Sequence, residues 1–297
     1  MQFAIEKLNL SGNRIVEDPV TFLIKSDLIR DGFITNAAYL LFKTNDSVLT
    51  TIELGRFQTD ILIKDTARTK ADLPTQIDQV LDFVKKHINK EVIITGQAQN
   101  TQIWQYPLEA IREIITNMIV HRDYRSTSDS IVKIFDNKIE FYNPGRLPDS
   151  ITIDDLLSNN YKSTPRNKLI ADFFKNLGLI EKYGSGIRRI IDSFVAGKMP
   201  FPEFRNISDG FMVTVYSKIS ESVTDKVTDK VTDNQLKIIT EIVKNQTITT
   251  SELEEAVGIS QRKIKENISK LKEKGILKRI GPSKGGYWQV ITFSPQP

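Results

Sequence analysis

Glu113-Ile114-Ile115-Thr116-Asn117-Met118-Ile119-Val120-His121-Arg122-Asp123-Tyr124 is the stretch on which the fold turns. Pro107 stands just before it and suits a helix start, while Leu108, Ile111, Ile114, Ile115, Met118 and Ile119 recur at helical spacing as a buried side. Glu113 and Asn117 lie four apart and share one face. A carboxylate and a carboxamide one turn apart suit the orienting of a water and of a Mg²⁺ that carries phosphates. Downstream, Asn143-Pro144-Gly145 follows a strand, and Gly184-Ser185-Gly186 opens a helix. Glycine-containing turns let a backbone come close to a nucleotide. The ordered set Glu-x-x-x-Asn, strand, x-x-Gly, lid, Gly-x-Gly, helix, strand is far more specific than any one of its parts.

Around this helix the pattern alternates irregularly. Residues 130–135 and 138–142 flank Asp136-Asn137 and read as a tight antiparallel hairpin. Asn143-Pro144-Gly145-Arg146-Leu147-Pro148 then breaks regular structure. Residues 168–177 and 187–194 read as helices, and 210–216 as a final strand. Upstream, a turn at Gly32 leads into the apolar segment 37–42, and residues 50–57 and 61–64 show strand-like alternation. Residues 73–87 carry Leu73, Ile77, Val80, Leu81 and Val84 at helical spacing, with Pro74 in the first turn; 92–94 is a short strand. His87, on the Lys-rich end of that helix, reads as a surface residue favourable to the dipole. The expectation is an α+β sandwich rather than a doubly wound parallel sheet.

The chain's positive charge is unevenly placed. Residues 235–297 hold 11 Lys and Arg against 6 Asp and Glu, and from Ser260 onward the ratio is 9 to 2, whereas the preceding 234 residues are nearly balanced. Phosphate backbones reward such a local excess through counterion release. Three short units, Val223-Thr224-Asp225-Lys226, Val227-Thr228-Asp229-Lys230 and Val231-Thr232-Asp233, precede this module. Their four-residue period fits neither strand nor heptad, so they read as an exposed linker, helical over part of its length or paired with another copy. Residues 235–244 read as a first helix with Leu236, Ile239, Ile242 and Val243 inward. Thr250 or Ser251 caps a second at 252–257, Gly258-Ile259-Ser260 turns, and Ser260 caps a third at 261–274 that ends at Gly275. Residues 276–280 and 287–292 pair as strands around 281–286. This is a winged helix-turn-helix. Its third helix in a major groove brings Gln261, Arg262, Lys263, Lys265, Glu266 and Asn267 to DNA, with Arg279 and Lys284 in support on the wing. Tyr287 and Trp288 read as wing-packing aromatics.

Composition narrows the classes further. A chain of 297 residues accommodates two domains or three. With no cysteine and only His87 and His121, disulfides, thiolate metal sites and histidine-rich metal sites are excluded. No apolar run approaches a membrane span, and Met1-Gln2-Phe3-Ala4-Ile5-Glu6-Lys7 lacks a signal peptide's pattern, so a cytoplasmic location is expected.

The central order resembles the GHKL (Bergerat) ATP-binding fold shared by gyrase, histidine kinases and MutL-type proteins. More closely, residues 112–190 resemble the ATPase-like domain of a family of bacterial transcriptional regulators often labelled as related to an ATP-dependent DNA helicase. The matching residues are Glu113, Asn117, His121-Arg122-Asp123-Tyr124, Asn143-Pro144-Gly145-Arg146-Leu147-Pro148, Pro165-Arg166-Asn167, Leu177-Gly178-Leu179-Ile180 and Gly184-Ser185-Gly186-Ile187-Arg188-Arg189. Thr35-Asn36-Ala37-Ala38-Tyr39-Leu40-Leu41-Phe42 resembles the segment that precedes that domain. The resemblance implies a nucleotide site built from Asn117, Asn143, Gly145, Gly184 and Gly186, with ATP and Mg²⁺ as the group bound and Asn117 on the metal. Three features depart from the wider ATPase group: Asn143 replaces the Asp that accepts from the adenine amino group, Leu147 replaces a second glycine, and the stretch between Gly145 and Gly184 lacks a glycine-rich lid. Family members commonly carry a further N-terminal DNA-binding-like domain, and this chain reads as starting after it. A Gly-x-x-x-x-Gly-Lys-Ser/Thr loop is absent from the sequence, so the helicase label does not extend to a motor activity.

The domain reading is residues 1–100 packed on an ATPase-like domain at 101–218, a linker at 219–234 and a winged helix at 235–293. The first functional reading is a transcriptional regulator that binds double-stranded DNA as a homodimer, its degenerate ATPase-like domain sensing a nucleotide effector or mediating dimerisation. The second is a Mg²⁺-dependent ATPase coupled to DNA, with Glu113 activating water. The third is an interaction scaffold without ligand. His121 and Asp123 read as bracing the helix end, while Arg188 and Arg189 either meet phosphate or form a solvated helix face.

Overall fold

The computed structural model describes residues 17–43, 49–93, 101–180, 186–217, 231–281 and 286–290. It opens with α1 (Pro19–Lys25), whose first backbone N–H groups are capped by Asp18. A short hairpin, β1 (Ile29–Arg30) and β2 (Phe33–Ile34), leads into α2 (Asn36–Phe42). Then come β3 (Ile52–Phe57), β4 (Ile63–Arg68), α3 (Leu73–His87) and a ribbon of β5 (Lys90–Ile93) with β6 (Thr101–Trp104). The central helix is α4 (Leu108–His121), followed by β7 (Ser130–Ile134) and β8 (Lys138–Pro144). Three helices, α5 (Ile153–Ser158), α6 (Lys168–Asn176) and α7 (Gly186–Ala196), precede β9 (Glu203–Ile207) and β10 (Gly210–Tyr216).

Six strands make one sheet in the order β4-β3-β7-β8-β10-β9, with β3 and β7 parallel and every other neighbouring pair antiparallel. Strands β7 and β8 alternate buried and half-exposed residues, so Val132, Ile134, Ile139 and Phe141 face the helices. Over them lies α4, with Ala110, Ile111, Ile114, Ile115, Met118, Ile119 and Val120 all buried. α3 packs beside it and α7 across it. The α+β class is as expected. The segment before residue 100 joins the sheet itself: β3 pairs with β7, Leu54 opposite Val132. Without that pairing β7 would present an open edge. The strand expected at 61–64 forms instead at β4, an outer strand exposed on both faces, where no alternation is imposed.

The second body is α8 (Asp233–Lys244), α9 (Thr250–Val257), α10 (Gln261–Glu273), β11 (Leu277–Ile280) and β12 (Tyr287–Val290). Its first helix starts two residues before the expected 235, because Thr232 caps it and Gln235 completes a reciprocal capping box. The last repeat unit therefore belongs partly to the helix. Thr249, not Thr250 or Ser251, caps α9 in the same way, with Glu252. Ile238 takes the inward place expected of Leu236, beside Ile239, Ile242, Leu253, Ile264, Ile268 and Leu271. Gly275, at φ 68°, ends α10 as the sequence required.

The two bodies touch. The ring of Tyr287 stacks on Phe201 at 4.2 Å and 11°, and its hydroxyl donates to the Pro202 carbonyl at 3.2 Å. The Phe201 N–H donates to Gln246 Oε1 at 2.8 Å. Tyr287 thus leaves the wing's own core and joins that of the larger body.

Candidate functional site

A cleft of about 880 Å³ opens between α4, the end of β8, α5 and α7. Glu113, Asn117, Asn143, Gly145 and Gly186 all line it, so the structure gathers the residues that the spacing singled out. Gly184 lies outside the described residues. The floor is apolar, made by Phe141, Phe211, Val213 and Ile190. Arg146, Lys162, Arg166, Lys175 and Arg189 also line it, and among the described lining residues Glu113 is the one carboxylate. An excess of four positive charges on an apolar cup of this size suits an anionic, flat-ringed ligand.

Glu113 is already engaged. Its side chain is 11% exposed; Oε2 accepts from Arg189 at 2.7 Å, and Oε1 accepts from Asn117 Nδ2 at 3.3 Å. Gly186 explains the closeness: a Cβ there would lie 2.2 Å from Glu113 Oε1 and 3.4 Å from Asn117 Nδ2. A side chain at the start of α7 would therefore displace the Glu113 carboxylate from this position. Arg188 pairs with Asp192 one turn on, at 2.9 Å, on an outward face.

Gly145, at φ 102°, has its Cβ direction filled by Arg166 Nε and Asp123, each at 3.2 Å. Around it the motifs of the sequence knot together. The Asp123 N–H donates to the Pro144 carbonyl at 2.9 Å, and the Gly145 N–H to the Asp209 carbonyl at 2.9 Å. Arg166 donates to the carbonyls of His121 at 3.2 Å and Arg146 at 2.7 Å. Asn167 Nδ2 donates to those of Val120 and Arg122. Arg122 is 2% exposed and donates to the Thr51 carbonyl at 2.6 Å, under the ring of Tyr124. The reading of His121 and Asp123 as braces agrees with this geometry. Burial, helped by the nearby Arg166 guanidinium, lowers the His121 imidazole to about 4, so it is neutral at physiological pH. Hydrogen bonding from Arg125 holds Asp123 down at about 2.

Asn143, 5% exposed, sits at the floor, and its Oδ1 accepts from Ser130 Oγ at 2.8 Å across the β7–β8 pair. The convergence of Arg146, Lys162, Arg166 and Lys175 on the cleft is not readable from the sequence. They come from three separate stretches, the turn after β8, the loop between α5 and α6, and α6 itself, and the one signal in the sequence is that Arg146 and Arg166 stand inside quoted motifs.

On the smaller body, α10 turns Ile264, Ile268 and Leu271 inward and leaves Arg262, Lys263 and Lys265 exposed. The Arg262 side chain is 89% exposed and pairs with Glu266 at 3.2 Å. Asn267 Nδ2 donates to the Lys263 carbonyl at 2.8 Å, and Gln261 is half-buried. Arg279 lies over the Trp288 ring at 4.8 Å, where partial burial lowers its pKa. Lys284 lies outside the described residues. A link between the bodies runs through α5: Leu156 lines the cleft, while Leu157 Cδ1 is 3.4 Å from where a Cβ on Gly281 would sit, at the root of the wing.

Residues 128–215 match the family described as "Putative ATP-dependent DNA helicase recG C-terminal", and residues 232–278 match "Winged helix-turn-helix DNA-binding". No curated protein sequence matches the chain. Among solved structures, it is similar to the DIP2311 protein from Corynebacterium diphtheriae, with a TM-score of 0.64 at 18% identity. That match covers 98% of this chain, which spans 61% of the other's length, and it speaks for the fold alone. No described helix is long and apolar enough to cross a membrane.

Proposed function

We propose that this chain, with its recG C-terminal-like ATPase-type domain and its winged helix-turn-helix, is a transcriptional regulator whose grip on double-stranded DNA responds to a purine nucleotide in the cleft. The observation that carries the reading is α5. One of its leucines, Leu156, forms cleft wall, and the next, Leu157, belongs to the packed cluster that Tyr287 and Ile280 of the wing join, beside Gly281. A ligand that repositions α5 shifts the wing, and by linkage DNA changes the ligand's affinity by the same factor. Arg262, Lys263 and Lys265 on α10 then meet the major groove, in a homodimer whose two-fold axis matches two half-sites.

Hydrolysis is not part of this proposal. A Mg²⁺ at Asn117 with Glu113 as base needs oxygens free to coordinate and to accept a proton. Here the Glu113 carboxylate is held by Arg189 at 2.7 Å and by Asn117. As arranged, the Glu113 carboxylate is not free to serve as a base, and the cleft reads as a sensor.

The test measures binding of the full chain to a mixed-sequence duplex across a salt series, with and without purine nucleoside diphosphates and triphosphates. The expected result is salt-dependent duplex binding whose Kd shifts by about fivefold or more with nucleotide, the lower end of ordinary coupling energies. Indifference to every duplex in dilute buffer would overturn the reading.

A further inference from the structure

We propose that the base end of the cleft selects a 6-oxo purine, guanine or hypoxanthine, over adenine. This rests on the nucleotide reading above and concerns which base the same site takes. Cations gather toward the half-exposed rim, with the Arg189, Arg166 and Lys175 side chains 42%, 32% and 31% exposed. The floor offers Asn143 amid Phe141, Phe211 and Val213. Phosphates belong with the first group and a flat ring with the second.

Asn143 therefore decides the base, through whichever atom of its amide faces the cleft. Its Oδ1 is taken: Ser130 Oγ, on a residue only 1% exposed, donates to it at 2.8 Å from the adjacent strand. With Oδ1 so engaged, Nδ2 is the amide atom left for a ligand in the cleft that Asn143 lines, and among the described residues no group is seen to accept from it. The site thus presents N–H donors. An adenine edge would set its exocyclic amino group against them, donor to donor. Guanine and hypoxanthine offer a C6 carbonyl, which accepts. A carboxylate in the same place would reverse the preference. Ser130 is a positioning residue: without its hydroxyl the amide is free to turn over.

The experiment is calorimetric titration of the full chain with GDP, IDP, ADP and pyrophosphate. GDP and IDP are expected to bind about tenfold or more tightly than ADP, a modest figure for leaving a buried donor unmatched. The inclusion of IDP, which lacks the 2-amino group, assigns the preference to the carbonyl. Asn143→Asp is expected to invert the order in favour of ADP, and Ser130→Ala to narrow the gap. ADP binding as tightly as GDP, or pyrophosphate binding as tightly as any nucleotide, overturns base selection while leaving an anion site in place. Binding of none of the four overturns the nucleotide reading itself.

Discussion

Arg189, from the start of α7, reaches 2.7 Å from the Glu113 carboxylate of α4 and ties the two helices across the mouth of the cleft. The glycine three residues before Arg189 is what allows the approach, since a Cβ on Gly186 would lie 2.2 Å from the same carboxylate. Gly186→Ala and Arg189→Ala should therefore break one contact by two routes. Each is expected to destabilise by about 1 kcal/mol, a discounted figure because Arg189 is well exposed. The double variant should lose less than the two losses added. Urea denaturation of the four proteins checks this, and simple additivity would mean that the residues act apart. Glu113→Ala should leave ATP turnover at the background of the intact chain.

The exposed cations of α10 make a quantitative prediction about salt. Each phosphate contact contributes a slope of about −0.9 in log affinity against log salt on B-DNA. Arg262→Ala with Lys263→Ala should weaken duplex binding and flatten that slope by about 1 to 2 units. An unchanged isotherm would remove α10 as the reading element. Arg279→Ala should act differently: its guanidinium lies on Trp288, so the loss appears as wing stability before it appears as salt dependence.

How far the residues alone led differs between the two sites. Glu113 and Asn117 were legible because four-residue spacing on a helix fixes a shared face without any tertiary knowledge. The hairpin of β7 and β8 was legible from Asp136-Asn137 between two β-rich runs, and α10 from its apolar stripe and Gly275. The cationic lining was not, because Arg146, Lys162, Arg166 and Lys175 converge from loops and a helix with no common period. Tyr287 was misassigned for a related reason. Strand alternation says that a side chain points inward but not toward which body, and Phe201 of the larger body lay 86 residues away in the sequence. The helix α5 has only one and a half turns, too few for periodicity; its capping box, Thr152 with Asp155, was its one readable mark.

Tyr287 is a second place, besides α5, where the two bodies meet, and it offers a test of the proposed coupling between them. Removing the ring in Tyr287→Ala takes away a stacked pair, worth about 0.5–1.5 kcal/mol beyond its burial, and opens the contact at Pro202. The expected outcome is a winged helix that still binds duplex but no longer answers to nucleotide. Tyr287→Phe keeps the stack on Phe201 and loses only the bond to the Pro202 carbonyl, about 1 kcal/mol, so it should retain most of the response. Equal nucleotide dependence of DNA affinity in wild type and Tyr287→Ala would show that the coupling takes another route.

His121 gives the molecule a readable pH dependence. In the folded chain its imidazole is lowered to about 4, first by burial and then by Arg166, against an ordinary value of 6.5 when unfolded. Between those values the unfolded chain binds a proton that the folded chain does not, so stability rises with pH through this window. The contribution is complete above about 6.5 and is lost progressively as pH falls toward 4. Asp123, lowered to about 2 from 3.8, acts in a separate and more acidic window, where its contribution disappears as pH falls from 3.8 toward 2. A comparison at pH 7 and pH 5 thus isolates the histidine from the aspartate. His121→Gln should be less sensitive to that change than wild type, measured as the shift in urea midpoint. Identical shifts in the two proteins would place the histidine in water on both sides of folding, contrary to the burial that lowers its imidazole.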